Sequence, residues 1–236
     1  MSADFASTAD LTDKTITFDA IGPDLYAFTT EGDPNSGVIV GDDGVMVIDA
    51  QATPVMARQV IGRVAKVTDK PIKYLLLTHY HAVRVLGASA YAGAEILASA
   101  ATRALIAERG KADMDSEIGR FPRLFRAVES IPGLTWPSIT FPDQISVWLG
   151  RREVRIMHIG RGHTAGDVVA FVPDANVVFS RRPRRIPLGL LLRRCAFHRL
   201  AGDARPAGRV FRQGAGAGPR HGAEDARRGC RRHRFD

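Results

Sequence analysis

The first 180 residues of this 236-residue chain hold no cysteine; Cys195 and Cys230 both lie beyond Ser180. That excludes a disulfide framework or a thiolate metal cage from most of the chain, and it points to a reducing, cytoplasmic setting. No run of about 18 apolar residues occurs, so no segment reads as membrane-spanning. The N-terminus, Met-Ser-Ala-Asp-Phe-Ala-Ser-Thr-Ala-Asp, lacks the basic start and apolar core of a secretory signal. Lysine is missing from residues 181–236, which carry 16 arginines against 4 acids, a net of +12. Residues 1–180 carry 17 basic against 21 acidic side chains, a net of −4, so the overall +8 belongs to the tail. What is present, 45% hydrophobic and 25% charged residues, suffices for one full core and is neither disordered nor fibrous in composition.

Along residues 1–180 the hydrophobic pattern alternates between two periods. Short β-type runs at 15–18, 25–29, 37–40 and 45–48 are punctuated by Gly, Asp and Pro, as in a meander. Thr53 and Pro54 open a helical repeat over 54–67, with Val55, Met56, Val60, Ile61, Val64 and Val67 on one face. The run 72–77, apolar apart from Lys73, has the form of a strand buried on both faces, and it ends at Thr78-His79-Tyr80-His81. A short strand at 96–98, helices at 100–109 and 115–128, and strands at 145–149, 153–159, 167–172 and 177–179 complete an α/β sandwich.

His79 and His81 stand two apart, on one side of an extended segment, the spacing that lets both reach one metal ion. Two polar loop histidines would look the same. A third, His163, sits in the glycine-rich loop Gly160-Arg161-Gly162-His163-Thr164-Ala165-Gly166-Asp167 between two strands, and loops on a rigid sheet are where ligands are usually mounted. His158 reads as an ordinary strand residue.

In their order these motifs resemble the metallo-β-lactamase fold superfamily over about residues 20–180. That family shows a strand ending in Asp, then T-H-x-H-x-D-H, then G-H-T-x-G-[DS], then a strand ending in S-G-D. Val47-Ile48-Asp49, Thr78-His79-Tyr80-His81, the segment from Gly162 to Asp167, and Phe179-Ser180 match in turn. The resemblance implies a four-layer αββα sandwich whose C-terminal part is incomplete. It also implies a metal site of His79, His81 and His163, with Asp49, Thr164 and Asp167 in support. Where the family has Asp-His, this chain has Val83-Arg84, so neither ligand of the second site is available. One ion is therefore expected, zinc or another divalent metal, with water in the fourth position. Arg84 is either a salt-bridged arginine or a catalytic one, its guanidinium in the vacated pocket offering fixed charge to an anionic substrate or a developing oxyanion.

The grammar changes after Ser180. Arg, Gly, Ala and Pro make up 36 of the last 56 residues, and apolar periodicity nearly vanishes. A reading-frame slip in a GC-rich gene accounts for this. Residues 180–187 can be written AGC CGG CGA CCT CGT CGA ATA CCG, and dropping one C after AGC gives Ser-Gly-Asp-Leu-Val-Glu-Tyr, the missing S-G-D. Residues 181–236 are thus expected to be an unstructured, out-of-frame tail behind a domain at 1–180. The function implied is metal-activated hydrolysis of an ester, thioester, lactone or amide in a small, anionic molecule. An inactive or non-catalytic metal-binding remnant is the alternative. Nucleic-acid binding through the tail rests on charge alone and ranks below both.

Overall fold

The computed structural model describes residues 14–30, 34–158 and 160–180, together with the backbone of 197–199. Strands β1 (Ile16–Gly22), β2 (Leu25–Thr30), β3 (Ser36–Val40) and β4 (Val45–Ile48) form an antiparallel meander. Helix α1 (Pro54–Val64) follows, its N-terminus closed by the Thr53 hydroxyl, which accepts from the Met56 N–H, with Pro54 in the first turn. Strand β5 (Ile72–Leu76) then joins β4 in parallel. After the short helix α2 (Ala82–Val85) come β6 (Glu95–Ser99), helix α3 (Ala100–Arg120) and β7 (Ile139–Phe141), and β1 to β7 make one seven-stranded sheet in chain order.

The second sheet begins with β8 (Gln144–Leu149) and β9 (Arg152–His158) and continues through β10 (Val168–Val172) and β11 (Val177–Phe179). Beyond Ser180 the described backbone of Phe197–Arg199 forms β12, antiparallel to β11. The expectations for the rest of 181–236 lie outside the described residues.

Two apolar layers hold these elements. One lies between the sheets and unites Leu25, Ile39, Met46 and Leu76 with Leu149, Ile156, Val172 and Phe179. The other joins the opposite face of the larger sheet, through Val38, Val47, Leu75 and Leu77, to Val60 of α1 and Ile106 of α3. Strands β3 and β4 are buried at every residue, as strands covered on both faces must be. The observed layers are helix, sheet and sheet, an α/β sandwich; an outer helical layer on the second sheet is not among the described residues.

One expectation needs correction. The break between helices at 100–109 and 115–128 is absent, since Ala100–Arg120 is a single helix. Gly110 weakens a helix by about 1 kcal/mol relative to alanine. Here it is buried where Leu134 packs, and a Cβ would stand 3.3 Å from Leu134 Cδ1. Packing outweighs propensity. The helix stops at Arg120 because Phe121 precedes Pro122, whose ring disfavours helical backbone in the residue before it.

Candidate metal centre

Parallel pairing of β4 with β5 sets Ile48 beside Leu76, so Asp49 and the Thr78 loop emerge together at the strands' C-terminal ends. Asp49 is buried with φ +62°, in the left-handed region that Asp and Asn tolerate better than most residues. Its carboxylate accepts from the Thr78 N–H and from the Thr78 hydroxyl, each at 2.9 Å. A carboxylate only accepts, so the single hydroxyl proton of Thr78 points to Asp49. The Thr78 oxygen then accepts from Nδ1–H of His79, 2.9 Å away. In the neutral ring this leaves the lone pair on Nε2.

His163 is held by its own loop. The Asp167 carboxylate accepts from the backbone N–H of His163 through Oδ2, and from the N–H and hydroxyl of Thr164 through Oδ1. The Gly166 carbonyl accepts from the hydroxyls of Ser99, at 2.7 Å, and Thr102, at 2.9 Å, where α3 begins. A Cβ at residue 166 would come 2.4 Å from Thr102 Oγ1, so glycine alone allows this approach. The Val168 N–H donates to the Thr78 carbonyl at 3.0 Å, which ties this loop to the other histidines.

The three imidazoles converge. Ring centroids are 5.3 Å apart for His79 and His81, 5.7 Å for His79 and His163, and 4.8 Å for His81 and His163. His81 and His163 border a cleft of about 260 Å³, with Tyr80 and Thr164 beside them and Arg109 and Arg161 among its walls. His158 is a half-buried strand residue whose Nδ1 bonds the Asp167 carbonyl.

Arg84 sits apart from that cleft lining. It is buried on α2, its Nη1 donates to the Asn35 carbonyl, and the same nitrogen lies 3.8 Å from Asp49 Oδ2. Val83 packs in an apolar cluster with Ala52, Met56, Leu124 and Phe125. Burial, with the Asp49 charge adding, pushes the Tyr91 phenol far above its usual range and keeps it neutral.

Two further residues were missed in the sequence. Asp113 and Glu117 of α3 gather with His81, all three offering ligand atoms within 4.8 Å of one another. Their signal was an acidic pair four residues apart, hidden by the expected helix break.

A family model described as the Metallo-beta-lactamase superfamily matches residues 29–180. The chain belongs to this superfamily. Among curated proteins, the linear primary-alkylsulfatase of Pseudomonas sp. (strain ATCC 19151) is 21% identical over 174 residues, covering 61% of this chain. The chain spans 32% of that relative's length. Among solved structures, native FEZ-1 metallo-beta-lactamase from Legionella gormanii matches with TM-score 0.54 and 19% identity, over 68% of this chain and 59% of that one. A metallo-beta-lactamase from Hirschia baltica matches with TM-score 0.53 and 19% identity, over 70% of each chain. At such identities the structures share the fold. Among the described residues of this superfamily member, no helix is long and apolar enough to cross a membrane.

Proposed function

We propose that the chain is a metal-dependent hydrolase acting on a small anionic ester or related acyl compound, with one divalent ion held by His79, His81 and His163. The observation that carries this reading is the convergence of three imidazoles in which hydrogen bonds occupy Nδ1 of both His79 and His81. Three neutral nitrogens suit zinc. When bound, zinc supplies Lewis acidity and a hydroxide-like nucleophile near neutral pH.

The protein's own groups do the rest. Asp49, through Thr78, orients His79; Asp167 fixes the loop that carries His163. Arg109 and Arg161 in the cleft wall favour a substrate bearing negative charge, in keeping with a relative named an alkylsulfatase. In this reading Arg84 serves through Asp49 and Asn35 instead of touching substrate. The tail stands as an out-of-frame read, supported by a family match that ends at residue 180, where the composition turns.

One observation favours a non-catalytic metal-binding member instead. Val83 is packed in apolar surroundings and Arg84 is turned toward Asn35 and Asp49, so neither offers a group to orient water. Hydrolysis assays on p-nitrophenyl acetate and p-nitrophenyl sulfate separate the two. Turnover that chelator abolishes and zinc restores, with the sulfate preferred and an Arg161→Ala variant losing that preference, is the expected result. Zinc binding without turnover on a broad panel of acyl and sulfate esters would select the non-catalytic reading, and chelator-resistant turnover would refute both.

A further inference from the structure

Helix α3 is laid beside the cleft in a fixed register. At its start the hydroxyls of Ser99 and Thr102 donate to the Gly166 carbonyl, which belongs to the loop of His163. Further along, Asp113 Oδ2 accepts from the Ala82 N–H at 2.9 Å and Glu117 Oε2 from the Val83 N–H at 3.2 Å. Both ends of the helix are thus tied to backbone next to the histidines. Between these ties, Leu105, Arg109, Asp113 and Glu117 recur every four residues and share one helical face. The last two are anchors, and the first two line the cleft with His81 and His163.

Exposure separates Arg109 from the imidazoles. Its side chain is 50% exposed, whereas His81 is 18% and His79 1% exposed, so the guanidinium stands at the mouth of the cleft and the histidines at its floor. There it pairs with the Glu108 carboxylate, itself 62% exposed, and faces the Tyr80 phenol. An ion pair between two exposed neighbours is weak, so another carboxylate can replace Glu108 at little cost. A guanidinium has five N–H donors in a planar fork, matched to two carboxylate oxygens. Leu105, one turn back, and Ala165 add apolar wall to the same cleft. Arg161 is placed differently, two residues before His163 on its loop.

Resting on the reading of this cleft as a substrate site, we propose that Arg109 is a specificity-determining residue that takes a carboxylate carried on a hydrocarbon arm, away from the bond to be hydrolysed. The substrate class is then an ester or thioester with a remote carboxylate, its arm lying against Leu105 and Ala165. Arg161, beside His163, serves the reacting end. Glu108 is the competitor that the substrate's carboxylate displaces.

The first test needs neither metal nor turnover. 4-Phenylbutyrate, an apolar body with a remote carboxylate, is titrated into the metal-free full chain beside its neutral amide, with binding followed by NMR. The acid is expected to bind more tightly than the amide and to show Overhauser contacts from its phenyl protons to the Leu105 methyls. R109A should weaken the acid about 5-fold, as for a half-exposed ion pair, and leave the amide unchanged. E108Q removes the competitor and should tighten the acid roughly 2-fold. Equal binding of acid and amide by the unaltered chain, or an acid preference that survives in R109A, would overturn the proposal. So would phenyl contacts that bypass Leu105, a result read on the unaltered chain even if R109A failed to fold. The second test uses turnover of the zinc-loaded chain. R109A should raise KM for mono-p-nitrophenyl adipate by the same factor at nearly constant kcat, and leave p-nitrophenyl acetate unaffected. A fall in kcat on both esters would put Arg109 at the reacting end and overturn the proposal. Absence of turnover in the unaltered chain would count against the hydrolase reading, while the binding test still decides the role of Arg109.

Discussion

Replacement of His163 by alanine is expected to weaken metal binding by about two to three decades in Kd while leaving the fold in place. Structural zinc sites bind with about 10–16 kcal/mol shared over four ligands, so one imidazole is worth roughly 3–4 kcal/mol. That corresponds to a loss of between about two and three decades in Kd. The fold should survive for a local reason. The loop is held through the backbone N–H of residue 163 and through Thr164, both on Asp167, and through the Gly166 carbonyl, none of which needs the exposed imidazole. Unfolding free energy should change by no more than about 0.5 kcal/mol, as for an ordinary surface substitution. Isothermal titration with zinc, beside denaturant unfolding of the metal-free protein, reads both quantities. Retained affinity in H163A would remove His163 from the site.

Asp49→Ala should have the largest effect on stability. It strips the Thr78 N–H and hydroxyl of their acceptor and takes a carboxylate away from the buried guanidinium of Arg84. Breaking a buried pair by deleting one partner costs about 3–5 kcal/mol. Alanine at a φ of +62° adds roughly 1 kcal/mol more. A domain with ordinary stability of about 5–15 kcal/mol would then be near or past its limit. Asp49→Asn keeps the shape and the left-handed backbone, and should lose less. Urea unfolding of both variants checks this. A cost under 1 kcal/mol for D49A would mean that Asp49 does not organise the histidine loop.

Much of this site was legible because its parts are contiguous in the chain. A strand whose last residues, Leu75 and Leu76, are fully buried and which leads into His79 and His81, and a glycine-rich loop at His163, each fit within a few residues. Asp49 was legible only through the family resemblance, since a single Asp after an apolar strand has no spacing of its own. Asp113 and Glu117 were hidden because the expected helices stop at 109 and resume at 115; Gly110 lies in that gap, and only Leu134 packed on it shows why one helix runs on through the segment from Lys111 to Glu117. Only the docking of α2 shows that two of its acids are turned inward. The surroundings of Arg84 could not be read from its place in the chain: the structure buries its guanidinium against the Asn35 carbonyl and near Asp49. Strand β7 escaped notice because it has three residues close behind Pro137.

The central claim is a single three-histidine metal centre in a fold whose relatives carry the motif for two. Elemental analysis of the purified chain, dialysed against excess zinc and then against metal-free buffer, tests it most directly. The expected content is one equivalent per chain, falling to none in a His79→Ala, His163→Ala double variant. It should rise toward two only when Val83→Asp and Arg84→His are combined with a restored reading frame after Ser180. Two equivalents in the unaltered chain, or one equivalent that survives loss of His79 and His163, would contradict the account.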